Sequence, residues 1–554
     1  MLFQTPEFLV FLLVVLTGLT AIRGVKWQHI LLVAASFVFY GWWDVRFLSL
    51  IFLTTVVDYS AALGMGGVKL TAAERIKVAV VSLSSVAVFL LPNWPAVQHG
   101  GWSGDWTELI GPRWPGGWGA VAAMTAFSLV FPVLYGLYFR LGERARRRAF
   151  LITSVVLNLA VLGFFKYFDF ASDSVVGIAH MLGFEISAIA LHVALPVGIS
   201  FYTFQSMAYT IDAYRGDIVP ERSLLRLLTF VTYFPQLVAG PIIRPQHLLP
   251  FLDSPFQIRS EKIRSGFHLA LVGLCKKVLI ADSVAPVVDA ILNDPSGQSS
   301  MAIIFATCLF AVQIYCDFSG YTDIARGVSR MMGIEIPLNF DFPYFSTSII
   351  EFWRRWHISL SSWLRDYLYI PLGGSRLGVS RTYFNLMATM VLGGLWHGAA
   401  WNFVIWGTYQ GALLCINRVI RNWIEKREAV DAFCRTKFGT VMRWAVTAYF
   451  WLFGWLIFRV TDTDDLLLCM RKFVVLDGQW SPSAIGVRSA GLMTALIAVA
   501  AFAVLHAWGF FGRRWSDRLD TMPKWLAPVA YAGVGLVLFI GWPRTATPFI
   551  YFQF

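Results

Sequence analysis

Charge is scarce in this sequence. Asp, Glu, Lys and Arg together make up 14% of the 554 residues, whereas an average soluble domain is about one quarter charged. So few charges cannot cover a water-facing surface of ordinary size, which excludes a soluble multidomain protein. Cysteine is also sparse. Cys275, Cys308, Cys316, Cys415, Cys434 and Cys469 are scattered and form no CxxC pair, so neither a disulfide framework nor a zinc site is indicated. The alternating strands of an outer-membrane barrel are missing, as is the internal repeat expected of a secondary transporter. The first apolar stretch, residues 8–22, has no basic n-region before it and no small-residue cleavage site after it, and reads as a retained span.

What is present is apolar surface. Hydrophobic residues make up 57% of the chain and aromatics 16%, with a mean hydropathy of +0.62. Runs of about twenty apolar residues recur from end to end with short loops between them, the pattern of membrane-crossing helices. The expected fold is all-α: one polytopic helical bundle over residues 1–554 in a cell inner (plasma) membrane. The net charge of +12 comes from basic residues clustered between spans. They read as topology signals and lipid-headgroup contacts, not as a nucleic-acid surface.

Those clusters orient the chain. Arg23 and Lys26 follow the first span, Lys69, Arg75 and Lys77 the third, and the run 140–150 the fifth. These connections are expected on the cytoplasmic side, which places the N-terminus outside. The basic stretches 261–266, 421–430 and 512–525 are expected there too, so the last span runs outward and residues 543–554 form an external tail. Later spans are expected near 149–166, 193–212, 224–240, 267–292, 301–318, 385–400, 401–420, 440–460, 488–511 and 526–542.

Residues 317–381 form the one long interval without a clean span, a dense mixture of aromatics, arginines and polar groups. Polar groups at membrane depth are costly and mark pathways or chemistry. Taken as one helix, EFWRRWHISLSSWLRD puts Trp353, His357, Leu360 and Leu364 on a common face. The plain reading is a core histidine on an amphipathic helix at the cytoplasmic boundary, its arginines meeting lipid phosphates. A second histidine, His397, sits in LGGLWHGAAWNFVIWG among small residues that let helices approach closely or leave room for a substrate. A neutral imidazole in a dry tunnel is available as a general base. The alternative is a helix-packing histidine bonded to a neighbour.

WRRWHISLSSWLRDYLYIPLGG and GGLWHGAAWNFVIWG resemble the two signature regions of the membrane-bound O-acyltransferases, in their bacterial polysaccharide-acetylating branch. The resemblance extends to PVGISFYTFQSMAYTIDAYRG, YFPQLVAGPIIRP, IYCDFSGYTDIARG, FFKYFDF and the final FIYFQF. It implies a helical bundle with a central tunnel and roughly 11 to 15 membrane helices, re-entrant segments included. It also implies an acetyl-CoA donor on the cytoplasmic side, no metal or prosthetic group, an external serine-type (SGNH-like) transferase as partner, and an exported or cell-envelope polysaccharide, alginate-like, as final acceptor.

Carried over residue by residue, His397 matches the family's invariant tunnel histidine and His357 its second polar residue. Arg354, Arg355 and Arg365 become candidates for the donor's phosphates, although lipid contact and topology explain arginines equally well. FIYFQF resembles the superfamily's tyrosine-bearing acyl-carrier motif, which makes Tyr551 the expected acceptor. From Trp542 to Tyr551 an extended chain spans roughly 30 Å, against a hydrocarbon half-thickness of about 15 Å, so the tail can reach inward. Residues 66–140 depart from the compact family pattern by about two extra spans and an aromatic loop, read as a lineage-specific insertion. The alternatives are D-alanyl transfer to teichoic acid, and a transporter or scaffold of a polysaccharide export complex.

Overall fold

The structure is a computed structural model that describes residues 1–94, 111, 117–188, 195–476, 489–523, 525–542 and 549–550. Regular structure among these residues is entirely helical. Among the described residues, six helices are long and apolar enough to cross a bilayer, and the chain is a multi-pass membrane protein. Its helices group into two compact units: Met1–Ile258 with Met332–Ile336, and Arg259–Met331 with Pro337–Phe554.

The first unit contains α1 (Pro6–Ala21), α2 (Val25–Gly41), α3 (Leu48–Met65), α4 (Ala72–Phe89), α5 (Gly117–Tyr138), α6 (Glu143–Leu162), α7 (Phe168–Met181), α8 (Ile199–Arg215) and α9 (Leu224–Thr232). Helix α3 forms its core, with 89% of its apolar window buried. A carboxylate inside such a helix needs partners. Asp58 of α3 accepts from Ser154 Oγ at 2.6 Å and from Asn158 Nδ2 at 3.1 Å, both on α6, and Ser154 Oγ in turn meets Thr210 of α8 at 3.0 Å. One buried polar knot therefore ties three helices. Helices α4 and α5 occupy the stretch read as an insertion and pack on each other. Only 28% of the α5 window is buried, and Leu129, Val130 and Val133 stand exposed, as on a lipid-facing helix. Most of the aromatic loop 94–118 lies outside the described residues.

The span expected over 224–240 is shorter in the structure. Helix α9 ends at Thr232, and Phe234–Leu237 forms a separate turn. Tyr233 leaves the helical region with ψ of 104°, and Pro235, with no N–H to return to the preceding turn, opens the next one.

The second unit contains α10 (Ser260–Cys275), α11 (Asp282–Leu292), α12 (Ser300–Met331), α13 (Ile349–Arg355), α14 (Ile358–Leu364), α15 (Val379–His397), α16 (Trp401–Glu425), α17 (Lys437–Arg459), α18 (Ser489–Phe511) and α19 (Ala527–Gly541). The span expected to stop at residue 318 continues as α12 to Met331. Hydropathy drops across CDFSGYTDIARG, but ion pairs hold its two carboxylates: Asp317 meets Lys277 at 2.9 Å and Asp323 meets Lys276 at 2.7 Å. Helices α10 and α12 meet along a glycine seam in which Gly266 faces Gly327 and Gly273 faces Gly320; a Cβ on Gly273 would stand 2.5 Å from the Gly320 carbonyl oxygen. This close approach brings Lys277, in the π-helical turn Lys276–Ala281 after α10, against Asp317 on α12.

Candidate active site

The segment around His357 is not one helix, which corrects the single-face reading of EFWRRWHISLSSWLRD. Helix α13 ends at Arg355, Trp356 is extended, and His357 takes left-handed φ of 44° before α14 begins. A side-chain-bearing residue in that region costs on the order of 1–3 kcal/mol, so its surroundings must enforce it. They do so through residues 339–341. Ile358 N–H donates to the Asn339 carbonyl and Asp341 N–H to the Arg355 carbonyl, each at 2.9 Å. Broken helical hydrogen bonds are thus replaced, and the His357 ring points into the interior, where it has no exposed surface.

Asn339 also sets the histidine's tautomer. Its Oδ1 accepts from Ser359 N–H at 3.1 Å and from Ser359 Oγ at 2.9 Å, which fixes that atom as oxygen. The same oxygen lies 3.3 Å from His357 Nδ1. The proton is accordingly assigned to Nδ1, leaving Nε2 with the lone pair. His357 lies outside the helices long enough to span a bilayer, and burial pushes its imidazole down to about 3. It is a neutral base or acceptor at physiological pH.

His397 closes α15 at the junction with α16. Of the two roles the sequence allowed its neighbouring small residues, Gly394 and Gly407 serve close approach: added side chains there would strike the Phe403 and Met390 carbonyls. The His397 ring is boxed edge-on by Trp396 at 5.1 Å, Trp406 at 5.1 Å and Phe458 at 5.2 Å. Trp396 also lies 6.0 Å from the His357 ring. One buried indole therefore touches both histidines, a link that sequence reading missed because neither signature region contains both partners.

A cavity of about 670 Å³ opens among α13, α14, α15 and α16. Its lining includes Trp353, Ser361, Ser362, Thr389 and four arginines, Arg354, Arg365, Arg418 and Arg421. Neither histidine lines it, but Trp353 packs 5.7 Å from Trp406, itself against His397. Arg418 and Arg421 were not read as site residues, Arg421 only as the start of the basic stretch 421–430, because in sequence they look like the positive end of an ordinary span. Arg355 is elsewhere: it pairs with Glu351 at 2.9 Å and donates to the Asp341 carbonyl at 3.3 Å.

Tyr551 lies outside the described residues, but the two residues before it are buried, each with 2% exposure. The Phe549 ring packs 4.8 Å from Tyr321 and 5.7 Å from Phe318, and Phe318 stands edge-on to His357 at 4.7 Å. Phe549 thus comes within one ring of His357.

Residues 219–461 match the membrane-bound O-acyltransferase (MBOAT) family. The chain is 34% identical over 525 residues to a probable alginate O-acetylase, AlgI, of Azotobacter vinelandii, covering 93% of this chain and 86% of that protein. This chain belongs to the MBOAT family. A second probable alginate O-acetylase AlgI, from Pseudomonas putida, is 33% identical over the full length of both chains. A peptidoglycan O-acetyltransferase of Helicobacter pylori is 34% identical over 63% of this chain and 69% of its own length. In this MBOAT enzyme the chemistry is acyl transfer, and the transporter and scaffold readings fall away. The matched region contains His357, His397, Trp396 and all four cavity arginines.

Proposed function

We propose that this enzyme takes acetyl from cytoplasmic acetyl-CoA and passes it across the inner membrane for O-acetylation of an exported, alginate-like polysaccharide. Both termini face outward in this reading, as the basic loops indicate. The observation that carries it is the order of features in the second unit: an arginine-lined cavity, two buried histidines joined by Trp396, and the seated C-terminal segment. Arg354 and Arg365, with Arg418 and Arg421, supply charge for the donor's phosphates. Arg355 is paired with Glu351 and does not line the cavity.

His397 acts as general base and takes the phenolic proton of Tyr551 as the phenol oxygen attacks the thioester carbonyl. The new bond is O–C, the broken bond is C–S, and the thiolate recovers the proton from the imidazolium. His357, held through Nδ1, offers Nε2 as a second acceptor beside the incoming group. A cysteine-like thiol ionises near 8.5 and a phenol near 10, so acetyl-tyrosine keeps much of the transfer potential of the thioester. An external serine-type transferase then moves the group to the glycan. Kinship with alginate and peptidoglycan O-acetylating proteins supports the acetyl group and the glycan class.

The test is acetyl-CoA consumption and intact mass with purified protein. His397→Ala is expected to lower thioester loss by about 10³-fold or more, and Tyr551→Phe to abolish the acetylated species. Undiminished glycan acetylation by Tyr551→Phe would overturn the carrier role.

A further inference from the structure

Asp317 is the buried charge that the acyl-transfer reading leaves without work. It sits on α12 with 3% exposure. Its Oδ1 meets Lys277 Nζ at 2.9 Å, and the same ammonium meets Asp282 Oδ1 at 2.8 Å. Two carboxylates thus meet one ammonium. A further donor reaches Asp317 from 233 positions along the chain: Ile550 N–H donates to Asp317 Oδ2 at 2.7 Å in a buried contact. Among the described residues, that N–H is the donor this oxygen has.

We propose that Asp317, locked by Lys277, is the seat of the C-terminal segment and a positioning residue for acyl transfer. The seat has two parts. The carboxylate grips the main chain at Ile550, through a charge-assisted bond that is shorter and stronger than a neutral one. Phe318 and Tyr321, one helical turn apart on the same helix, flank the Phe549 ring. A residue gripped at its backbone, beside a residue held at its ring, fixes two successive residues immediately before Tyr551 in the chain. The glycine seam between α10 and α12 makes the seat possible, since it lets Lys277 reach Asp317. The preference is for an aromatic-led peptide backbone, with little dependence on the side chain that follows the ring.

The positioning role rests on Tyr551 being the acyl acceptor; the seat itself does not. Two measurements on the full-length protein keep them apart. The first is the rate at which a maleimide labels Phe549→Cys, read against the parent chain with its native cysteines alone. Asp317→Ala and Ile550→Pro, which remove the acceptor and the donor of the same bond, are each expected to raise that rate at least tenfold. Combining them should add nothing, because residues acting through one contact are non-additive. An unchanged rate in Ile550→Pro, or a multiplied rate in the pair, overturns the seat. Ile550→Pro leaves α12 untouched and decides the matter even if Asp317→Ala fails to fold.

The second measurement is acetyl-CoA consumption with Phe549 in place. Ile550→Pro should lower kcat at least tenfold with KM for acetyl-CoA unchanged; a raised KM with unchanged kcat overturns the positioning role. If Tyr551→Phe consumes and transfers acetyl normally, the carrier reading fails, while the labelling result still stands or falls alone.

Discussion

Trp396 does at the scale of one residue what neither histidine can do alone: it presents an edge or face to each ring, 6.0 Å from His357 and 5.1 Å from His397. Displacements of about 1 Å in a reacting group can cost a factor of 10² in rate. Trp396→Phe should therefore lower kcat for acetyl-CoA consumption by about tenfold and Trp396→Ala by about 10², with KM moving less than threefold, read in steady-state assays on folded, monodisperse protein. Which residues were legible beforehand follows from what a sequence displays. His357 and His397 stood out because ionisable groups in apolar surroundings are conspicuous. Asn339, Asp317 and Lys277 did not, because their roles come from partners 18 to 233 positions away in the chain. Trp396 was hidden by abundance, as one of 23 tryptophans.

Elements were easier to read where burial follows hydropathy and harder where it does not. Most spans in the second unit fell within a few residues of α15, α16, α17, α18 and α19. Two failures in the second unit share one cause, tertiary contacts overriding local pattern, whereas the break before Pro235 in the first unit is local. Helix α12 carries polar residues thirteen positions beyond the expected end because α10 and Lys277 cover them, and His357 breaks a continuous helical pattern because Asn339 supplies replacement bonds. The seam between α10 and α12 gives the clearest element-scale expectation. Gly273→Leu would drive a side chain into the Gly320 backbone, and overpacking of this kind costs about 1–3 kcal/mol or more. Loss of monodisperse protein on size-exclusion chromatography, or a fall in Tm of several degrees, is the expected result. Gly142→Leu, at a position whose added Cβ meets nothing within 4 Å, should behave as the parent.

For the whole molecule, orientation decides which face supplies the donor. Gly142, in the basic stretch between α5 and α6, has room for a side chain. In intact cells Gly142→Cys is expected to resist a membrane-impermeant maleimide and to react after permeabilisation. Labelling before permeabilisation would overturn the proposed placement of this basic stretch on the cytoplasmic side. The family and helical class could be read from the sequence because composition and signature regions carry them. The division into two compact units could not, since it depends on which helices meet.

Burial of Phe549 and Ile550 also bears on how the protein can be handled. A protease needs exposed backbone, so the Phe549–Ile550 bond is expected to survive limited digestion of the folded, detergent-solubilised protein and to be cut after denaturation, read by intact mass.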